Sequence, residues 1–456
     1  MGKSTSSVRD LVRLAWPVLI SQLALMANSV IDTAMAGRLS VIDLAAVGIA
    51  ASIMATVLMS MMSILLALPP IIAQLYGAGQ GARIGREIHQ SVWISCVLAF
   101  VTILLLHNPE PFIAISKLQP PVELKVRAYL DASAWGVPAT IALRLFFGLS
   151  TGIGRPGPVM TFNLLALFFK VPLNALFMYG LLGLPAMGGA GCAVATSIDA
   201  WIMAVAAWIW CLNHPKYREF QLQVRFSVPD PRAIWAFMKL GIPIGLTFIA
   251  DMTAFTFMAL FIARLGPVVS GAHQIAANIA VVAFMFPLAL GNATSVLAGQ
   301  AIGAGQPEQA RHTCWTGIRL GLLIAVAFSL ICWIGAPQIA ALYTRDHLVQ
   351  AAVLPLIILV GFYHLGDALQ TIAVNALRGY KKSFVPMLIY TITLWGVGLG
   401  GGYVLGLTST FGPARGAVGF WIAAIVSLWL VAGLVALYLN VVSRAKFNLG
   451  TCETFA

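Results

Sequence analysis

Apolar residues in this chain come in long unbroken stretches divided by short polar segments, not in the alternation of a half-buried strand or the narrow stripe of an amphipathic surface helix. Twelve such stretches can be drawn, at about 11–36, 44–74, 88–107, 124–152, 157–180, 190–213, 233–263, 270–300, 309–335, 348–377, 384–406 and 416–443. Each reaches the roughly 20 residues that a helix needs to cross the hydrocarbon core of a bilayer. A helix satisfies its own backbone hydrogen bonds where there is no water, so the pattern predicts twelve spanning helices. The first stretch follows a short basic start. It is too long for the core of a signal peptide and lacks a small-residue cleavage site, so it is expected to be a retained span. The fold class that follows is an all-α polytopic membrane protein.

A repeat organises the twelve stretches. Sliding the sequence by 226 residues aligns 14–80 with 240–306 without a gap and gives 18 identities in 67 positions. Pro17 falls on Pro243, Arg38 and Leu39 on Arg264 and Leu265, and the run Gly77, Ala78, Gly79, Gln80 on Gly303, Ala304, Gly305, Gln306. Because the offset holds six spans, both copies enter the membrane in the same sense. The expectation is two six-helix bundles, residues 1–213 and 232–456, related by a pseudo-twofold axis along the membrane normal, with the substrate path between them. The polar stretch 214–231 reads as the linker.

Composition adds the charge picture. The chain is 60% hydrophobic and only 9% charged, yet carries a net charge of +12. With the N-terminus placed in the cytoplasm, eighteen of the 27 Lys and Arg fall in inner loops, tails and helix ends, among them Lys3, Arg83, Arg86, Arg225, Lys381 and Lys446. Seven fall outside, among them Arg38, Lys117 and Arg264, and two, Arg144 and Lys170, lie within spans. This asymmetry fits the positive-inside rule with both termini cytoplasmic and a place in the cell inner membrane. Basicity here orients the chain; it does not call for nucleic acid. The six cysteines, Cys452 included, show no CxxC spacing, so neither a disulfide framework nor a zinc site is implied. A phosphate-binding GxxxxGK(S/T) loop is absent from the sequence, so the energy is expected from an ion gradient. Nothing suggests a covalent nucleophile or a cofactor, and the chain is expected not to be an enzyme.

Three carboxylates, Asp32, Asp251 and Asp367, fall inside the apolar stretches. An acid at the centre of a span costs roughly 2.5–3.5 kcal/mol on insertion scales, so one kept there commonly binds or relays a cation; polar helix packing is the plainer reading. The repeat does not carry these acids twice. At the 226 offset Asp32 faces Met258, Asp251 faces Leu25 and Asp367 faces Ile141. Each half therefore has its own acidic site, Asp32 in the N-terminal bundle and Asp251 with Asp367, able to converge, in the C-terminal one. Two carboxylates sharing a poorly solvated cavity can hold a proton or a small cation at neutral pH and release it when water enters. Lys170 and Asp199 sit in the same half. They read either as a structural ion pair that cancels charge or as groups that tune Asp32, and the sequence leaves both open. Asp131 lies near the outer end of its span, where water reaches it. A histidine such as His273 could shuttle protons near neutral pH, but a single histidine beside a helix start is more commonly a hydrogen-bonded packing residue.

The segment Ile31, Asp32, Thr33, Ala34, Met35, Ala36, Gly37, Arg38 followed by Asp43, Leu44, Ala45, Ala46, Val47, Gly48 resembles the first-helix signature of the multidrug and toxic compound extrusion (MATE) transporters, NorM-type branch. Further matching segments are Gly271 to Ala276 with Phe284 to Pro287, Asp367 to Gln370 leading to Leu377 to Lys381, and Gly188 to Thr196. The resemblance covers nearly the whole chain. It implies a twelve-helix, two-lobe antiporter that expels cationic drugs in exchange for protons or sodium ions. The family's first-helix and tenth-helix aspartates map onto Asp32 and Asp367, a tyrosine one turn earlier onto Tyr363, and a fifth-helix asparagine onto Asn174. Where this branch commonly has glutamate in the seventh helix, this chain has Asp251, shorter by one methylene. Lys170 departs from the pattern.

The cation-coupling residues expected are Asp32, Asp251 and Asp367, with sodium, where it is the ion, at Asp251 and Asp367. Supporting or substrate-binding candidates are Tyr363, Asn174, Thr196, Asp199, Lys170, Gln274 and Asn278. Partners expected are small cationic drug-like compounds and the bilayer, with the chain acting as a monomer and no cofactor beyond the coupling ion. The 24 Phe, 12 Trp, 10 Tyr and 16 Met offer cation–π faces and adaptable surface for such compounds, although most such residues in a membrane protein face lipid or pack helices. Two rivals are a flippase for lipid-linked saccharides, which calls for several buried cationic residues to take phosphate, and a channel, which would pass ions without drug.

Overall fold

The protein was analysed as a computed structural model that describes residues 8–116, 119–223 and 227–453. Lys3, Lys117 and Arg225 lie outside the described residues, as do the side chains of Lys446 and Cys452. Among the described residues twelve helices are long and apolar enough to cross a membrane. They are α1 (Val8–Gly37), α2 (Val41–Gly77), α3 (Gly81–His107), α4 (Pro120–Gly152), α5 (Gly157–Tyr179) and α6 (Ala190–Asn213), followed by α7 (Pro231–Ala263), α8 (Pro267–Gly303), α9 (Pro307–Tyr343), α10 (His347–Gly379), α11 (Phe384–Leu407) and α12 (Gly416–Ala445). No strand occurs among the described residues. Two helices depart from regular winding. Near its middle α2 tightens to a 3₁₀ turn at Ser63–Ala67, and α11 widens to a π turn at Leu394–Gly400.

The repeated Gly-Ala-Gly-Gln run forms the same turn twice. After α2, Gly79 takes φ +68°, its N–H bonds to Tyr76 O and that of Gln80 to Leu75 O. After α8, Gly305 takes φ +70°, its N–H bonds to Ile302 O and that of Gln306 to Ala301 O. Both are Schellman caps, which satisfy the last carbonyls of a helix and need a residue without a Cβ at the left-handed position. A four-residue identity in otherwise drifting copies thus marks a backbone requirement.

Contacts divide the chain after Leu19 and after Gly245: Ile20–Gly245 form the first unit, and the stretches before and after form the second. The two division points are 226 residues apart, the same spacing as the sequence repeat. In the first unit α4 is the central helix, packed along α2, α3 and α6, with a core that includes Leu68, Phe146 and Leu149 and also Phe237, Leu240 and Ile244 from the start of α7. In the second unit the equivalent helix, α10, packs along α8, α9 and α12, and its core takes in Leu11 from the start of α1. Close approach of α11 and α12 depends on small residues: a Cβ on Gly402 would lie 2.6 Å from Phe420 Cδ1.

The described part of 214–231 is held within the first unit. Tyr217 is buried, shares a 2.9 Å hydrogen bond with Ser150, and burial pushes its phenol up to about 12, so it stays neutral across the physiological range. Gln90 donates to Val228 O at 2.9 Å and accepts from Asp230 N at 2.8 Å, which ties the end of the segment to α3.

Candidate functional site

The second unit holds a cavity of about 390 Å³ lined from α7, α8, α10 and α11. From α7 come Thr247, Phe248, Asp251, Met252 and Phe255, whose spacing puts them on one helix face. From α10 come Tyr363, Asp367, Gln370, Thr371, Val374, Asn375 and Arg378, again one face, repeating every three or four residues over four turns. Phe284 and Leu288 close one wall and Tyr390 of α11 another. Asp251, Asp367 and Tyr363 are therefore brought to a common space.

Each acid accepts one side-chain hydrogen bond. Tyr390 donates its hydroxyl to Asp251 Oδ1 at 2.5 Å, and Thr371, one turn along α10, donates to Asp367 Oδ1 at 3.3 Å. Asp367 is 6% exposed and Tyr363 7%. Tyr363 is itself wedged edge-on between Phe255 and Trp421, at centroid distances of 6.3 and 5.4 Å. Among the described residues no basic side chain lies within 4.0 Å of either carboxylate. Arg378 lines the same cavity but cannot serve: it stands eleven residues, about 16 Å, along α10 from Asp367. It donates instead to Asn375 Oδ1 at 3.1 Å, and Asn375 donates to Thr371 O at 2.9 Å.

The first unit treats its acid differently. Asp32 Oδ2 lies 2.8 Å from Lys170 Nζ, and Asp32 Oδ1 accepts from Asn174 Nδ2 at 2.7 Å. Lys170 also donates to Thr196 Oγ1 at 2.5 Å, and Thr196 donates to Cys192 O at 2.6 Å. Asp32, Lys170, Asn174 and Thr196 thus form one network drawn from α1, α5 and α6. Asp199, one turn after Thr196, is 6% exposed and keeps Oδ1 without a hydrogen-bond partner. Of the two carboxylates open to Lys170 in the sequence, Asp32 is the one within 4.0 Å.

Two candidates stand apart. Gln274 and Asn278 are exposed on α8, and Asn278 Oδ1 accepts from Tyr343 at 2.8 Å. Gln274 shares a face with Val281 of the cavity wall but lies two turns, about 10 Å, nearer the helix start. His273 is buried against Trp421 with Nδ1 unpartnered, away from the cavity lining. Asp131 is exposed and pairs with His107 at 2.9 Å.

Residues that the sequence did not single out complete the picture. Tyr390 left no signal, being one tyrosine in an apolar span. The polar face of α10 had one: its polar residues at 363, 367, 370, 371, 375 and 378 can be read as a stripe. Asp43, 5% exposed, accepts from Lys125 at 2.6 Å, from Gly189 N at 2.8 Å and from Ser40 at 2.6 Å, and so ties α2, α4 and the start of α6 together.

The comparisons with known proteins agree with this layout. The MatE family model matches twice, at residues 17–176 and 243–404, and the two matches begin 226 residues apart. The chain is 35% identical over 441 residues to "Probable multidrug resistance protein NorM" of Aromatoleum aromaticum, covering 96% of this chain and 95% of the relative. It is 34% identical over 428 residues to "Multidrug resistance protein NorM" of Aliivibrio fischeri, with 94% and 93% covered. Among solved structures, a MATE protein in a bent conformation superimposes with a TM-score of 0.89 at 17% identity, covering 97% of both chains. An outward-facing multidrug resistance MATE family transporter gives 0.86 at 18% identity, covering 98% of this chain and all of the other. The Gly-Ala-Gly-Gln turns, the unit boundaries and the matched segments repeat at one spacing, and with both family segments present the chain belongs to the MatE family.

Proposed function

We propose that this chain is a multidrug efflux antiporter of the cell inner membrane, with both termini in the cytoplasm, that expels cationic amphipathic compounds in exchange for protons or sodium ions. The observation that carries the reading is a pair of carboxylates without a basic partner, Asp251 and Asp367, on one aromatic-walled cavity of drug-sized volume. A carboxylate buried in apolar surroundings needs a compensating positive charge, and two ligands can supply it: the coupling ion or the drug. Phe248, Phe255, Phe284, Tyr363 and Tyr390 add ring faces for a flat cation. A cation taken up at the pair removes the charge that holds the drug, the drug leaves, and the two units reorient by rocker-type alternating access. Competition makes each ligand weaken the other's affinity by the same factor. The curated relatives named for multidrug resistance support the substrate class. A flippase for lipid-linked saccharides is less well supported, since Arg378 is a single basic residue among the lining of a cavity that carries two acids.

The test is ethidium-coupled ion movement in proteoliposomes, across pH and with or without sodium. Asp251→Asn and Asp367→Asn are each expected to abolish the coupling. Normal exchange by both variants would overturn the assignment.

A further inference from the structure

Lys170 is left unexplained by drug–cation exchange at the second unit. It is an ammonium 2% exposed at the middle of α5, inside a protein that handles cations. Its Nζ is held by Asp32 Oδ2 at 2.8 Å and by Thr196 Oγ1 at 2.5 Å. Thr196 gives its own proton to Cys192 O at 2.6 Å, so a lone pair faces the ammonium. Asn174, four residues along the same helix face, fixes the other carboxylate oxygen at 2.7 Å. A carboxylate oxygen and a neutral oxygen around a unit positive charge are the ligands that a small monovalent cation also takes.

We propose that Lys170 is a tethered cation: its ammonium fills the place at Asp32 that a sodium ion or a proton would otherwise occupy, so the first unit completes this acidic site from within. The inference rests on the proposed function, in which buried carboxylates of this chain serve cation exchange. It assigns the exchange to Asp251 and Asp367 and withdraws Asp32 from it.

The charges around the site set the expected count. Asp32 from α1, Lys170 from α5 and Asp199 from α6 are the charged groups, and Tyr129 of α4 and Cys192 of α6 are the titratable neutral groups that face Asp32. Two carboxylates and one ammonium leave a single negative charge, on the side of Asp199. Replacing the ammonium by a neutral amide leaves two uncompensated acids in a largely buried site, the Asp32 side chain 15% exposed and Asp199 6%, and such a site favours uptake of a further cation or proton. A salt bridge with a purely structural role gives a different result. Its loss destabilises the fold and changes no ion count.

The experiment uses the purified full-length chain in detergent, without drug. Saturation binding of radioactive sodium, with choline as the balancing salt, is combined with difference proton titration against the unmodified chain. Lys170→Gln is expected to bind one cation more than the unmodified chain, as sodium or as a proton. Lys170→Arg, which keeps the charge, should match the unmodified count, and the double variant Asp32→Asn with Lys170→Gln should return to it. An unchanged count in Lys170→Gln, or a gain in Lys170→Arg, overturns the proposal. Should Lys170→Gln fail to fold, Asp32→Asn alone decides: the count stays the same if Lys170 already fills the site, and falls by one if an external cation did. Asp251→Asn and Asp367→Asn in the same assay keep the two readings separate, because loss of binding there bears on the second unit alone.

Discussion

Tyr390→Phe is the sharpest perturbation of the second-unit cavity, since it deletes one hydroxyl and keeps the ring. That hydroxyl donates to Asp251 Oδ1 at 2.5 Å, and Tyr390 is 6% exposed, so water does not readily replace it. A hydrogen bond to a charged group is worth about 1.5–3 kcal/mol net. In the unmodified chain an arriving cation must share or displace that bond before it can use both carboxylate oxygens. With phenylalanine the cost vanishes, and taking the lower end of the range the coupling cation should bind about tenfold more tightly. Competition then lowers the apparent drug affinity, approaching the same factor when the cation is held well above its Kd in both chains. Turnover should fall as well, because a cation held more tightly is released more slowly. The assay is equilibrium binding of the cation and of a fluorescent cationic drug to the purified chain, followed by ethidium efflux in proteoliposomes. Weaker cation binding in Tyr390→Phe would refute the reasoning: it would make the hydroxyl a ligand of the cation and not its competitor.

Four further outcomes test the scaffold. Asp43→Ala removes the acceptor shared by Lys125, Gly189 N and Ser40 and should cost about 1–3 kcal/mol, the usual loss when a buried donor such as Gly189 N is left unpaired, read as a fall in Tm of the purified chain. Gly402→Ala places a Cβ 2.6 Å from Phe420 Cδ1, in a ring only 1% exposed, and should destabilise by about 1–3 kcal/mol. Gly433→Ala, which meets nothing within 4 Å, should stay within about 0.5 kcal/mol in the same measurement. Lys381 takes φ +57° in the turn after α10, where the corresponding turn after α4 uses Gly154 at +74°; Lys381→Gly should raise stability by up to about 1 kcal/mol, and a fall in Tm would show that the side chain's own contacts outweigh the strain.

The helices were legible in the sequence because hydrophobic length is a direct reading of bilayer thickness, but their ends were not. The apolar stretch at 88–107 becomes a helix from Gly81, and that at 309–335 becomes Pro307–Tyr343, since a helix continues past the hydrocarbon wherever polar residues have no reason to break it. The acids Asp251 and Asp367 stood out because charge in an apolar run is costly. Tyr390 did not, because only a neighbour three spans away in sequence gives its hydroxyl a purpose. The choice between Asp32 and Asp199 as partner of Lys170 was likewise closed to a single sequence: both lie in spans of the same half, and which faces meet is a matter of helix rotation. Gln274 shows the opposite limit. Its face was readable from the helical period, but its depth along α8 was not.

The two copies do not carry the same acids, and the difference has an energetic consequence. At the 226 offset Ile141 on α4 stands against Asp367 on α10, so the acid of the cavity's α10 face has no counterpart in the first copy. The first copy keeps an acid on α1 and neutralises it with Lys170 of its own chain. A cation carried inward through the cycle contributes about 2.3 kcal/mol per 100 mV of membrane potential to the work of expelling drug, and an ammonium fixed to the backbone contributes nothing. Filling Asp32 from within therefore lowers the steepest drug gradient this protein can sustain. In return, the first unit need not wait for an ion to arrive or leave at Asp32 before it moves. On the proposal that Lys170 fills Asp32, the thermodynamic control of exchange falls to Asp251 and Asp367.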